Sequence, residues 1–98
     1  MLYAVRLFDR PDRLAVRQEF SKAHVAWLDS NSERILVGGS LREAPGATPV
    51  GGLWLVEANS KEEVEAILVT DPFWTNGLRE RYEIYFWSKA FPERKVAV

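Results

Sequence analysis

Six apolar-rich segments run along the chain, separated by polar, glycine or proline breaks. Leu2-Tyr3-Ala4-Val5-Arg6-Leu7-Phe8 is rich in aromatic and branched residues and predicts a strand, broken by Asp9-Arg10-Pro11-Asp12. From about Asp12 to Asp29, the residues Leu14, Phe20, Ala23, His24, Trp27 and Leu28 trace an apolar stripe at helical spacing. Asp12 at its start suits the positive end of a helix dipole. Asn31-Ser32 closes this helix. Arg34-Ile35-Leu36-Val37-Gly38-Gly39-Ser40 then predicts a second strand, whose glycines mark a place where backbone or ligand comes close. Arg42 to Gly52, with Pro45, Gly46, Pro49 and Gly51, is a loop, and Gly52 to Glu57 is the third strand. Ser60-Lys61-Glu62-Glu63 is a capping-box start for a second helix, which reaches about Val69 and stops near Asp71-Pro72. A short turn from Phe73 to Gly77 leads to a last strand, Arg81 to Trp87.

The order β-α-β-β-α-β predicts an α+β, ferredoxin-like domain: an antiparallel sheet with two helices on one face. The strand patterns add a second expectation. Tyr82, Ile84 and Phe86 oppose Tyr85 and Trp87; Leu53 and Leu55 oppose Trp54 and Val56; Tyr3, Val5 and Leu7 oppose Leu2, Ala4 and Phe8. A sheet packed on one face should alternate apolar with polar. Apolar residues on both faces call for a cover on the helix-free side, and a second copy in a two-fold homodimer supplies one. Association of dimers into larger rings stays open.

Composition narrows the chemistry. A chain of 98 residues makes one domain, enough to bury roughly two thirds of its unfolded surface. The core is expected over about 1–88, with 89–98 as a C-terminal tail. A formal net charge of −1 disfavours nucleic acid or an anionic membrane as the main partner. There is no cysteine and one histidine, which excludes disulfides, thiolate catalysis and a His-rich metal centre within one chain. No signal peptide and no membrane-length apolar run is seen, so the expected location is cytoplasmic. No cofactor or metal motif is present either.

The candidate chemistry centres on that histidine. His24 lies on the apolar stripe among Phe20, Ala23, Trp27 and Leu28. Desolvation disfavours an imidazolium, whereas a neighbouring carboxylate favours it and fixes the tautomer. Asp71, in the turn Asp71-Pro72-Phe73, is the candidate carboxylate. Each residue also has a plain reading: His24 as a buried helix residue capping backbone groups, Asp71 as a turn-starting cap. Trp27, Phe73 and Trp74 are core aromatics or pocket walls for an aromatic ligand. Arg17, two turns before His24 on the same helix side, and Arg42 in the loop are candidates for holding an anionic group.

Three features together resemble the YciI-like (YCII-related) family of the dimeric α+β barrel superfamily. They are Ala23-His24-Val25 with Leu28, Gly38-Gly39-Ser40, and Asp71-Pro72-Phe73-Trp74-Thr75-Asn76-Gly77-Leu78. The resemblance spans nearly the whole chain. It implies a ferredoxin-like homodimer with a pocket near the dimer interface and an active site at the family's histidine and aspartate, which match His24 and Asp71. One branch of the family resembles dehydrochlorinases of chlorinated hydroxyhydroquinones, and related barrels include muconolactone-type isomerases. The position after the Gly-Gly pair is often proline in the family and is Ser40 here, which changes that edge of the pocket.

The expected function is a cofactor-free acid/base lyase or isomerase acting on a small aromatic or unsaturated ring compound. His24 and Asp71 are its catalytic pair, and Arg17, Trp27, Ser40, Phe73 and Trp74 contact the substrate. A non-catalytic ligand-binding or stress-associated homodimer would use the same pocket without proton transfer. An RNA-recognition module shares the element order, but the third strand lacks the Lys/Arg-Gly-aromatic pattern such modules use.

Overall fold

A computed structural model describes residues 1–96; the last two residues of the expected tail, Ala97 and Val98, lie outside the described residues. The chain is an α+β, ferredoxin-like fold. Strands β1 (Leu2–Asp9), β2 (Ile35–Leu41), β3 (Gly51–Glu57) and β4 (Arg79–Trp87) form one antiparallel sheet in the order β2-β3-β1-β4. Helices α1 (Leu14–Ser30) and α2 (Lys61–Leu68), with the one-turn helix α3 (Pro72–Thr75), complete the chain.

Period-two alternation decides which face the helices cover. Tyr3, Val5 and Leu7 of β1 point toward them with Trp54 and Val56 of β3, Ile35 of β2 and Ile84 of β4, and all are buried. Register brings Val5 between Trp54 and Ile84. The other face is open: Leu53 is 41% exposed, Trp87 42% and Tyr85 60%. It is less uniformly apolar than the strand patterns suggest, because Arg6 and Arg81 flank the Phe8 ring at 4.7 and 3.6 Å. Apolar character gathers instead in a groove of about 360 Å³ between β2, β3 and the end of β4, lined by Val37, Leu41, Leu53, Leu55 and Trp87.

Three element boundaries differ from the expected ones. The first helix begins at Leu14 and not Asp12, because Pro11 opens a separate 3-10 turn, Pro11–Arg13. Phe73 to Gly77 is largely a helical turn: Asp71 caps it by accepting from Phe73 N at 3.0 Å, and Gly77 leaves it at φ +80°. The last strand starts at Arg79, two residues early. An irregularity between Phe8 and Asp9 lets Asp9 pair with Arg79, and Arg10 N donates to Leu78 O at 2.8 Å just beyond. The second helix is capped as expected, with Glu63 N donating to Ser60 Oγ at 3.1 Å.

The stripe on α1 is shallower than its spacing suggests. Leu14 is 40% exposed and Ala23 is exposed. Trp27 and Leu28 pack partly on the core, and His24 is the one buried residue of α1.

Candidate functional site

Three segments bring the candidate site together. The helix α1 carries His24 toward the sheet, and the end of α2 delivers Thr70 and Asp71. Pro72, at the first position of α3, fixes the backbone so that Asp71 stays extended and turns its carboxylate back onto the helix (φ −63°, ψ 128°). Asp71 is 0% exposed and His24 9%. His24 Nδ1 lies 2.7 Å from Asp71 Oδ1, the same oxygen that accepts from Phe73 N. Asp71 Oδ2 is buried without a hydrogen-bond partner among the described residues.

This arrangement sets the protonation geometry. A carboxylate can only accept, so Nδ1 carries the proton and donates it, and the Nε2 lone pair is left as the basic edge. Nε2 makes no hydrogen bond among the described residues and is not one of the fully buried polar atoms, so it keeps some access to solvent. Phe73 stacks on the imidazole at 4.0 Å between centroids with planes 15° apart, and Trp27 lies beyond at 6.1 Å. Trp27 Nε1 donates to Thr70 Oγ1 at 2.9 Å, and Thr70 Oγ1 donates to Ile67 O at 2.6 Å, tying α1 to the segment that presents Asp71. The pair can hold and move a proton at Nε2 while Asp71 keeps the ring oriented.

A second polar layer lies on the other side of the site. Asp9 bridges two arginines, accepting from Arg17 Nη2 and Arg79 Nη1 at 2.6 Å each. Both guanidiniums approach the Phe73 ring, at 5.0 and 5.2 Å. Arg79 is 3% exposed. Burial pulls its guanidinium below the ordinary arginine value, and the Asp9 charge and hydrogen bond, then the Asp71 charge, pull it back. It remains a cation. Gly52 is held small by the neighbouring strand: a Cβ there would lie 3.1 Å from Gly39 O, with Arg79 Nη2 in ordinary contact at 3.4 Å. The carboxylates of Asp9 and Asp71 and the guanidiniums of Arg17 and Arg79 balance in formal charge.

The remaining candidates are spread out. Arg17 faces Asp9 and Phe73. Trp74 turns away from the imidazole and meets Tyr82 edge-on at 5.2 Å. Ser40 is exposed in β2, paired with Gly52 at the Arg79 end of the sheet, with no hydrogen bond to His24 or Asp71 among the described residues. Arg42 Nη1 donates to Ala47 O and closes its own loop. Neither the open-face groove nor a smaller cavity of about 200 Å³ beside Arg17 is lined by His24. Sequence reading missed Asp9, taken as a strand breaker, and Arg79. The topology carried the signal: β1 and β4 are antiparallel neighbours, so the last residue of one meets the first of the other.

The fold and these residues define a class: ferredoxin-like domains in which a helix is seated over the sheet by a buried histidine–carboxylate pair. Residues 1–88 match the model of the YCII-related domain, and the chain belongs to that family. Among solved structures it is similar to the 5-chloro-2-hydroxyhydroquinone dehydrochlorinase TftG from Burkholderia phenoliruptrix AC1100, in complex with 2,5-dihydroxybenzoquinone. The two share 33% identity with a TM-score of 0.80, over 90% of this chain and 94% of that one. A protein from Agrobacterium tumefaciens, Atu4242, matches at 18% identity and a TM-score of 0.49 over 94% and 98% of the two chains. No curated protein matches significantly.

Proposed function

We propose that this chain is a cofactor-free acid/base lyase that removes hydrogen chloride from a small chlorinated, hydroxylated ring. The observation that carries the reading is the buried His24–Asp71 pair, with one ring nitrogen committed to the carboxylate and the other without a partner among the described residues. Likeness to a dehydrochlorinase at 33% identity supports the reaction class. Trp27 and Phe73, which flank the imidazole, are assigned to the substrate ring.

The reaction balances without a metal, oxidant or organic cofactor. His24 Nε2 takes a proton from a ring hydroxyl and returns it to the chlorine-bearing carbon, giving a keto tautomer. The carbon–chlorine bond then breaks, chloride leaves with the electron pair, and a second hydroxyl gives up its proton as the ring becomes a quinone. The carbon that lost chlorine is reduced, the oxygenated carbons are oxidised, and the net loss is HCl. Asp71 is a positioning residue that stabilises the transient imidazolium.

The open sheet face is assigned to a second copy, a homodimer that covers Leu53, Tyr85 and Trp87. Dilution until subunits separate should then unfold or aggregate them. A soluble, folded monomer by sedimentation and circular dichroism would overturn the assignment.

The test of function is chloride release from 5-chloro-2-hydroxyhydroquinone under anaerobic conditions. His24→Asn should lower the rate about 10²–10⁴-fold with the circular dichroism spectrum unchanged. Release at the same rate from His24→Asn, or none above buffer from the native protein, sinks the proposal. Saturable binding with no release returns the chain to the non-catalytic reading.

A further inference from the structure

The cavity of about 200 Å³ next to Arg17 takes no part in the chemistry above. It lies between the 3-10 turn, the start of α1 and the end of the loop that enters β3, walled by Pro11, Leu14, Arg17, Pro49, Val50 and Leu78. Phe73 separates it from the imidazole: the ring stacks on His24 and also meets the Arg17 guanidinium, and neither His24 nor Asp71 borders the cavity.

Charge, shape and exposure agree on what would fill it. Arg10 and Arg17 line it with Asp9, whose two oxygens are already taken by Arg17 and Arg79. Arg10 therefore adds a positive charge to a cluster in which Arg17 and Arg79 already balance Asp9 and Asp71. Arg17 commits only Nη2, to Asp9, and its Nε is buried without a partner among the described residues. Most of the other walls are apolar, which weakens competition from water for a charge held there. Leu14 and Val50 remain 40% and 46% exposed at the rim, large apolar side chains that a bound ring would cover. An apolar cavity of about 150 Å³ is known to hold a benzene ring, so 200 Å³ suits one six-membered ring bearing a single carboxylate. Arginine is the side chain whose fork matches a carboxylate.

We propose that this cavity is a second ligand site, taking a single-ring organic monoanion of the benzoate type on Arg17, with Phe73 between it and His24. The probe is 4-fluorobenzoate, followed by its ¹⁹F signal on the full-length protein. Saturable binding is expected in the native protein and, with the same affinity, in His24→Asn. The neutral isostere 4-fluorobenzamide should bind at least ten-fold more weakly, as should 4-fluorobenzoate to Arg17→Met. Arg17→Met also breaks the Asp9 pair and can unfold the chain. Val50→Phe, at an exposed wall, fills the same space without touching the core and should also block binding. The proposal fails if the amide binds as well as the carboxylate, or if no saturation appears below about 10 mM. It fails equally if binding disappears in His24→Asn but survives Val50→Phe, which would put the ligand at the imidazole. Because affinity is read in a variant without His24, the result is independent of whether the chain releases chloride.

Discussion

Helices α1 and α2 cover the same face of the same sheet and are seated by opposite means. The eight residues of α2 bury Val64 and Leu68 in the apolar cluster that also holds Val5, Trp54 and Val56. The seventeen residues of α1 bury one, a histidine, against a carboxylate with an orphan oxygen. Beside that joint stand Asp9, Arg17 and Arg79. Apolar burial would have seated α1 at lower electrostatic risk, since buried ion pairs contribute little net stability against well-packed apolar groups. A polar seat is what the proposed chemistry requires: proton transfer needs a basic edge kept in one orientation inside an apolar surround, and the α2 joint offers none.

The widest way to break the comparison is to remove the cation that both buried carboxylates share. Arg79→Met leaves Asp9 with one guanidinium and takes away a counter-charge that acts on Asp71, at a position 3% exposed. Breaking a buried pair from one side costs about 3–5 kcal/mol. Urea unfolding should show that loss. A change below roughly 1 kcal/mol, the size of an ordinary substitution, would mean that water reaches the cluster and that the two helix seats are not different in kind.

The apolar seat should respond by a different rule. Leu68→Ala removes a fully buried side chain and should cost about 2–5 kcal/mol through lost transfer energy and a residual cavity. The buried residues of that cluster are all hydrophobic, and the phenol of Tyr82 packed against it titrates above 10.0, so the loss should be the same across the neutral pH range in urea unfolding. A loss that varies with pH would show that the α2 joint is electrostatically tied to the α1 side.

The two seats also differ in how far they can be read from the chain. The second helix announces itself: Ser60 and Glu63 at capping-box spacing, then Val64 and Leu68 four residues apart. The strands are legible from alternation for the same reason, since burial on a pleated sheet has period two. On α1 the hydrophobic spacing overstated the buried stripe, because Leu14 and Ala23 face water and the contact that seats the helix is polar. Asp71 stood out because the Asp71-Pro72-Phe73 block resembles the family's and offered a carboxylate to pair with His24. Arg79 and Asp9 did not stand out, because an arginine and an aspartate 70 positions apart carry no local pattern. Only strand order and a one-residue irregularity in register bring them together.

The smallest effect lies where α2 meets β4, at a hydrogen bond from β4 to a carboxylate of the apolar helix. Tyr82 Oη donates to Glu65 Oε2 at 2.7 Å. That bond, then burial, then the Glu65 charge push the phenol above its ordinary value of 10.0. The neutral phenol is the form that donates, so the contribution to stability is fully present below pH 10 and fades as pH rises through the higher folded value. Tyr82→Phe should therefore cost about 0.5 kcal/mol at neutral pH, the low end for a hydrogen bond because the hydroxyl is near solvent. The gap between the native protein and the variant should close as the solution becomes strongly alkaline. Urea unfolding of both proteins from neutral to alkaline pH reads it directly. A gap that widens would mean the phenolate, not the phenol, is held by the fold. The α2 side would then need a cation near Tyr82 and would resemble the α1 seat more than its apolar core suggests.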